Sequence, residues 1–208
     1  MVKKITGWQF TVYFFDDHVI KIKHDYDKAR KRIAGYLHIK GKSEEYIDKE
    51  TMQTLANVDN SWNIIARSNC PLELLANIKQ LNETTFKQDL AISLPTRIKL
   101  LLKKQEFESI EKILDEFIET NLRLWQYGIY ESTYKLDGYG YIGSRMVLID
   151  PFELNDNLDY IHEQIKSQDW RRICYRYRYP TRLEDYIERQ HLSSANFEKN
   201  WKQKIIKI

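Results

Sequence analysis

The sequence predicts an α+β fold, and three stretches support that prediction. Residues 4–23 are rich in β-branched and aromatic side chains, which favour strands. Residues 107–127 place apolar side chains at 3–4 spacing, which is typical of an amphipathic helix. The short apolar run at 146–149 is typical of a buried strand, and it ends at Asp150. Strands and helices are therefore both expected within one chain.

We expect two lobes, since 208 residues suffice for one large domain or two small lobes with a real core. The breakers around residues 67–71 mark a change in composition. We therefore predict a small N-terminal, β-rich lobe with a helix at 1–67. A larger, mainly helical lobe follows at 68–208, with a β-hairpin or strand near 141–150.

Composition excludes several classes of protein. The formal net charge is only +3, which does not require a nucleic acid as partner. The apolar runs are too short to cross a bilayer, and the N-terminus lacks the apolar core of a signal peptide. We therefore expect a cytoplasmic protein that does not interact with a membrane. Cys70 and Cys174 are too few for a disulfide framework or a cysteine-based zinc site. The histidines likewise show no metal-binding spacing.

The first strands form a predicted hairpin. Residues 11–15 are followed by the turn signal Asp16-Asp17, and alternation resumes at 18–23. Because successive side chains of a strand point to opposite faces, Lys21 shares a face with Val19. This lysine lies either at a solvated position of the strand or in a cleft, where it could contact phosphate oxygens.

A helical pattern follows from residue 25 to 58 and is interrupted near Gly41. Ser43 is a suitable N-cap for the second half, in which Tyr46, Ile47, Met52 and Leu55 offer an apolar stripe. Glu45 and Glu50 on this helix either face water or reach toward the sheet. Residues 61–66 are predicted as a short strand.

The second lobe is predicted from its proline and glycine residues and its periodicity. Pro71 favours the first turn of a helix that runs to about Leu81. Pro95 should open or break a helix, and Gly128 fits the end of the helix at 107–127. A helix from Leu158 to Trp170 and two more amphipathic helices, from about residues 182 and 194, complete the chain.

Taken in order, these features resemble the protein-kinase-like fold in a small and degenerate bacterial form, over about residues 4–155. The segment Gly7–Tyr13 is similar to the glycine-rich strand of kinases. Residues Val19–Ile22 are similar to the strand whose lysine holds nucleotide phosphates. The segment Val147–Glu153 is similar to the metal-binding Asp segment of atypical and aminoglycoside-phosphotransferase-like members. The resemblance implies a bilobal fold and an interlobe cleft.

The resemblance also implies roles for particular residues, with ATP and Mg²⁺ as cofactors. Lys21 would position phosphates next to Gly7, and Asp150, with Asp137 as a second ligand, would hold Mg²⁺. Glu131 would orient the acceptor hydroxyl. Glu45 or Glu50 would orient the lysine through an ion pair.

The sequence departs from the kinase pattern at three places. Residues 128–130 do not form the usual triplet before the catalytic acid, and Pro151 stands where a glycine is usual. Bulky Trp8 and Gln9 hinder the close approach of backbone amides to phosphate. We therefore predict a catalytically weak or inactive kinase-like protein that binds a nucleotide or a protein partner in the cleft.

Structural interpretations of the same acids stay open. Asp150 and Glu153 could cap a local turn or the start of a helix after a core strand. Asp137-Gly138 is also an ordinary turn signal.

An alternative function rests on the basic and aromatic stretch at 171–180. Its Arg171, Arg172, Arg176 and Arg178 could bind a protein or, with the neighbouring tyrosines, a nucleic acid. The tyrosines could instead pack on the C-terminal helices while the arginines face water.

Overall fold

The computed structural model describes residues 3–132 and 135–166, and its N-terminal part is built on a five-stranded antiparallel sheet. The strands are β1 (Lys3–Thr6), β2 (Phe10–Phe14), β3 (His18–Lys23), β4 (Lys79–Asn82) and β5 (Thr85–Asp89). Their order in the sheet is β1-β2-β3-β5-β4. The predicted hairpin is confirmed, and the mixed α and β character of the fold is confirmed with it.

Two helices connect β3 to β4 in the chain, namely α1 (Tyr26–Leu37) and α2 (Glu44–Arg67). A 3-10 turn at His38–Lys40 separates them and ends at Gly41, whose φ of 68° favours glycine. The side chain of Ser43 accepts a hydrogen bond from the Tyr46 amide and caps α2, as predicted. The predicted break between two helices is therefore confirmed.

The second helix is longer than predicted, and residues 61–66 are its last turns rather than a strand. Its buried positions follow 3–4 spacing to the end: Ile47, Thr51, Thr54, Val58, Ser61, Ile64 and Ile65. Tyr46 and Met52, which we predicted on the buried stripe, are exposed. The stripe is set by small polar residues as well as apolar ones, and this hid the helical period.

The predicted helix from Pro71 to Leu81 is wrong. A 3-10 turn at Leu72–Leu75 is followed by Ala76 and Asn77, with positive φ of 53° and 51°, and the chain then enters β4. The composition break at residues 67–71 coincides with the end of α2, but the sheet continues beyond it to Asp89.

The rest of the described chain is mainly helical, with short strands. It contains β6 (Ile92–Ser93), α3 (Leu94–Lys104), α4 (Phe107–Trp125), β7 (Tyr130–Glu131), β8 (Tyr139–Ile142), β9 (Arg145–Leu148), β10 (Leu154–Asn155) and α5 (Leu158–Lys166). Pro95 lies in the first turn of α3 and Gly128 has a φ of 73°, both as predicted. The β8–β9 hairpin confirms the one predicted near 141–150.

A shared aromatic cluster joins the sheet to the segment after β9. The ring centroid of Phe152 lies 4.5 Å from that of Phe10 and 5.0 Å from that of Phe86. In addition, the Leu154 amide donates to the buried Ser61 hydroxyl of α2 at 2.9 Å. These contacts fix the Asp150 segment under the sheet. None of the helices in the described part of the chain is long and apolar enough to span a membrane.

Candidate functional site in the cleft under the sheet

A cavity of about 790 Å³ lies between the sheet and the segments around β7 and Asp150. The β1–β2 connection with Gly7, Trp8 and Gln9 forms one wall, and Lys21 of β3 lies within it. Residues after β7 and after β9 form the opposite wall. The volume is in the range of pockets that bind small-molecule ligands.

Lys21 is the charged side chain that the sheet contributes to this cavity. It is 6% exposed, and its Nζ donates to the Ile149 carbonyl at 2.7 Å and to Asp150 Oδ1 at 3.0 Å. The Phe152 ring centroid lies 5.2 Å from the same nitrogen. Of the two predicted environments for Lys21, the cleft is the one observed. The resemblance-based roles of Lys21 and Asp150 thus fall on side chains that meet.

Asp150 is held in place by backbone hydrogen bonds. The amides of Ile149 and Asp150 both donate to the Gly138 carbonyl, at 2.7 and 3.1 Å. This ties the end of β9 to the 3-10 turn at Leu136–Gly138, which contains Asp137. Asp137 lines the cavity and is exposed, so it occupies a turn and faces the site at once. The structure brings the two predicted metal ligands to the same wall.

Glu131 lies deeper in the same wall. It belongs to β7, pairs with Leu154 of β10 and is 3% exposed, yet it contributes to the cavity lining. Its carboxylate is close enough to help raise the pKa of buried Tyr139, which burial raises first and most. Glu131 is therefore held by strand pairing beside the cavity.

Two further residues belong to this wall: Glu153, which we predicted only as a possible cap of a local turn or helix start, and Lys135, which sequence reasoning missed. The Glu153 side chain accepts from Lys135 Nζ at 2.5 Å, and both residues line the cavity. The Glu153 carbonyl accepts from the amide and hydroxyl of Ser132, at 3.1 and 2.6 Å. The only signal in the sequence was the acidic residue three positions after Asp150.

The cavity lining carries an excess of negative charge. Its basic residues are Lys21 and Lys135, and its acidic residues are Glu131, Asp137, Asp150 and Glu153. Among the lining residues that the structure describes, two formal positive charges against four negative ones leave a formal charge of −2. Such a lining repels a free polyphosphate and attracts a divalent cation.

The β1–β2 connection is anchored by hydrogen bonds on both sides. The Gln9 side chain donates to the carbonyls of Thr54 and Phe152, each at 3.4 Å, and so bridges the sheet to α2 and to the segment after Asp150. The Trp8 carbonyl lies 3.0 Å from His24 Nδ1, and the Gln9 carbonyl accepts from the His24 amide at 2.8 Å. The connection that resembles a glycine-rich loop is therefore tied down.

His24 supports this connection as a neutral ring. Its Nδ1 faces the Trp8 carbonyl and its Nε2 lies 2.9 Å from Thr11 Oγ1. A proton on Nδ1 satisfies the carbonyl and leaves Nε2 to accept from the hydroxyl. Burial lowers the pKa of His24 below its usual value of 6.5, since the charged form loses hydration.

The predicted roles of Glu45 and Glu50 are not supported by their positions. Glu45 is exposed and Glu50 half-buried, and neither belongs to the lining of the cavity. The residue of α2 that does line it is Thr54. The ion pair that we expected between Lys21 and one of these glutamates is made with Asp150 instead.

A second, smaller cavity of about 160 Å³ adjoins the first. Its lining includes Lys21, Asp137 and Asp150, which also line the larger cavity. It adds Gln88 of β5 and the connection after β5, with Leu90. Gln88 was missed because a single buried amide in an alternating strand leaves no pattern in the sequence.

Other predicted features lie outside the described residues. Arg171, Arg172, Arg176 and Arg178 belong to them, as do the two amphipathic helices predicted from about residues 182 and 194. Within residues 3–132 and 135–166, no three His, Cys, Asp or Glu side chains are grouped closely enough to hold a metal ion by themselves. Burial raises the pKa of the Cys70 thiol to about 12, which keeps it protonated and unreactive.

The sequence matches no protein-family model and no curated protein. The function is therefore argued from the geometry of the cleft.

Proposed function

We propose that this is a kinase-like protein, catalytically weak or inactive, that binds a nucleotide such as ATP with Mg²⁺ in the cleft under the sheet. The observation that carries the proposal is the ion pair between buried Lys21 and Asp150 inside a cavity of about 790 Å³. These residues are 129 positions apart, and the kinase resemblance assigns them to phosphate and metal, respectively.

The charge of the lining supports a nucleotide that arrives with a divalent cation. A polyphosphate alone would meet a wall with a formal charge of −2, so a cation is needed to neutralise the carboxylates. Asp137 and Asp150 would hold Mg²⁺, which binds to proteins through one or two carboxylates and takes its other ligands from phosphates and water. A pair of carboxylates, without a dedicated metal cage, suits this mode.

Weak or absent phosphoryl transfer follows from the loop and from the predicted catalytic acid. The β1–β2 connection presents Trp8 and Gln9, whose bulk keeps backbone amides away from a phosphate. Glu131 is only 3% exposed at the edge of the cavity, so an acceptor hydroxyl has little access to its carboxylate. Binding therefore has more support than turnover.

Differential scanning fluorimetry tests the binding. ATP or GTP at millimolar concentration should raise the melting temperature with Mg²⁺ or Mn²⁺ and have little effect without it. A ligand that binds only the native state, at a free concentration of about 100 times its Kd, raises the free energy of unfolding by about 2.7 kcal/mol. Lys21→Met should abolish the shift. Lys23→Met is the matched control, because Lys23 lies on the same strand and pairs with Asp59.

The result that refutes the proposal is equally plain. If no nucleotide shifts the melting temperature with either cation, nucleotide binding is wrong, and a protein segment remains as the alternative occupant of the cleft. If ATP binds and is also consumed at rates of about 1 per second or faster, which are typical of kinases, the assignment as catalytically weak is wrong.

A further inference from the structure

Gln88 has a buried side-chain amide of which only the nitrogen forms a hydrogen bond within the described part of the chain. It is 1% exposed, and its Nε2 donates to the carbonyl of buried Leu75 at 3.1 Å. Its Oε1 has no hydrogen-bond partner within the described part of the chain. A buried acceptor without a donor costs about 1–3 kcal/mol, so such groups usually serve a purpose.

The sheet register directs Gln88 toward the cleft. Gln88 pairs with Val19, and Phe86 pairs with Lys21. Directly paired residues of antiparallel strands lie on the same face, so Gln88 is on the face that carries Lys21. Both residues line the small cavity of about 160 Å³.

The small cavity has apolar side chains in its walls, against which the faces of a base can pack. Its walls include the apolar side chains of Val12, Val19, Leu90 and Ala91. Val12 lines the larger cavity too, so the two spaces are adjacent. A ligand whose phosphates lie at Lys21 can therefore place its base against Gln88.

We propose that Gln88 is a specificity-determining residue, whose Oε1 accepts a hydrogen bond from an exocyclic amino group of the bound base. This inference rests on the proposed nucleotide binding and deepens it. The amide cannot rotate to present its NH₂ group without losing the bond to the Leu75 carbonyl. A base with a carbonyl oxygen at that position would place two acceptors face to face. The protein should therefore prefer amino bases to oxo bases.

Isothermal titration calorimetry with Mg²⁺ and a series of triphosphates tests this preference. ATP has the 6-amino group, purine riboside triphosphate has a hydrogen there, and inosine triphosphate has an oxygen. Loss of one hydrogen bond should weaken binding about three- to tenfold, and inosine triphosphate should bind at least about tenfold more weakly than ATP. Inorganic tripolyphosphate reports phosphate binding alone.

The variant Gln88→Met tests whether Gln88, rather than another residue of the cavity, causes the preference for an amino base. The ratio of the ATP and inosine triphosphate affinities should fall to near one, and because both are measured on one variant, any loss of stability cancels. Gln88→Leu serves if the first variant does not fold. Gln80→Met is the matched control, since Gln80 is exposed on the edge strand β4. It should keep the wild-type ratio.

The outcomes distinguish this inference from the proposed function. Equal affinities of the wild type for the three nucleotides overturn the inference, while binding of tripolyphosphate and nucleotides upholds the proposed function. A preference for ATP that persists in Gln88→Met also overturns it. If neither tripolyphosphate nor any nucleotide binds, both fail together.

Discussion

Breaking the Lys21–Asp150 pair from its two sides should have unequal consequences for folding. The Lys21 side chain is 8% exposed and that of Asp150 is 54% exposed. In Lys21→Met, the remaining carboxylate is half in water and stays hydrated. The loss is then mainly the hydrogen bond to the Ile149 carbonyl, about 1–3 kcal/mol, partly offset by the burial of an apolar side chain.

In Asp150→Ala, by contrast, a buried ammonium loses its counter-charge. Breaking a buried ion pair in this way costs about 3–5 kcal/mol, and because Asp150 is half-exposed we expect the lower end, about 3 kcal/mol. The double variant should be more stable than the sum of the single effects predicts, with a coupling of at least about 1 kcal/mol.

Urea denaturation at pH 7 measures these free energies of unfolding, provided that the m-value stays constant. The matched control is the pair of Lys23 and Asp59, whose side chains are 15% and 62% exposed. Its cycle should give a coupling below about 1 kcal/mol. If Lys21→Met and Asp150→Ala cost the same free energy of unfolding and add without coupling, the two charges do not stabilise each other, and burial of Lys21 does not make their interaction stronger than that of an exposed pair.

Three further predictions concern the scaffold of the site. Burial lowers the pKa of His24 below 6.5, so the unfolded chain binds the proton more readily than the folded protein, and the free energy of unfolding should fall as pH drops through 6.5. His24→Gln should flatten this pH dependence in urea titrations between pH 5 and 7.5. An unchanged slope in the variant would contradict this prediction. Gly140→Ala should destabilise by about 1–3 kcal/mol in thermal unfolding, because its Cβ would lie 2.9 Å from the Ile92 carbonyl oxygen, and a neutral effect would contradict that packing. Ser61→Ala should cost about 1–3 kcal/mol by urea denaturation, since the buried Leu154 amide loses its acceptor; unchanged stability would show that another acceptor replaces it.

Local patterns predicted those parts of the fold whose residues alternate or repeat cleanly. The strand with Lys21 and the helix at 107–127 are such cases, and the structure has both. Strand β4 was missed because its four residues are all exposed, so they show no alternation, and the helical tail of α2 was missed because Trp62, Ile64 and Ile65 favour a strand by type. Residue propensities gave a wrong secondary structure where tertiary packing determines it.

Only those site residues could be predicted whose place in a strand follows from the residues beside them in the sequence. Asp150, at the end of an apolar run, was such a residue. Lys21 was another, because the alternation along its strand places it on the same face as Val19. The choice between Glu45, Glu50 and Thr54 depends on how α2 is rotated about its axis, which packing sets and no acidic residue signals. The role proposed for Gln88 depends on its hydrogen bond to the Leu75 carbonyl, 13 positions away, which no local pattern reveals.

The ion pair itself sets a condition on binding in the cleft. A phosphate group that approaches Lys21 competes with Asp150 for the same ammonium, and displacing Asp150 leaves that carboxylate beside the incoming anion. Two unit charges of like sign at 4 Å repel by about 4 kcal/mol in a partly screened site near the surface, which is as large as the affinity of a weak ligand. A cation between Asp150 and the phosphates turns this repulsion into attraction. Cation and nucleotide should therefore bind with positive linkage, each raising the affinity of the other by the same factor.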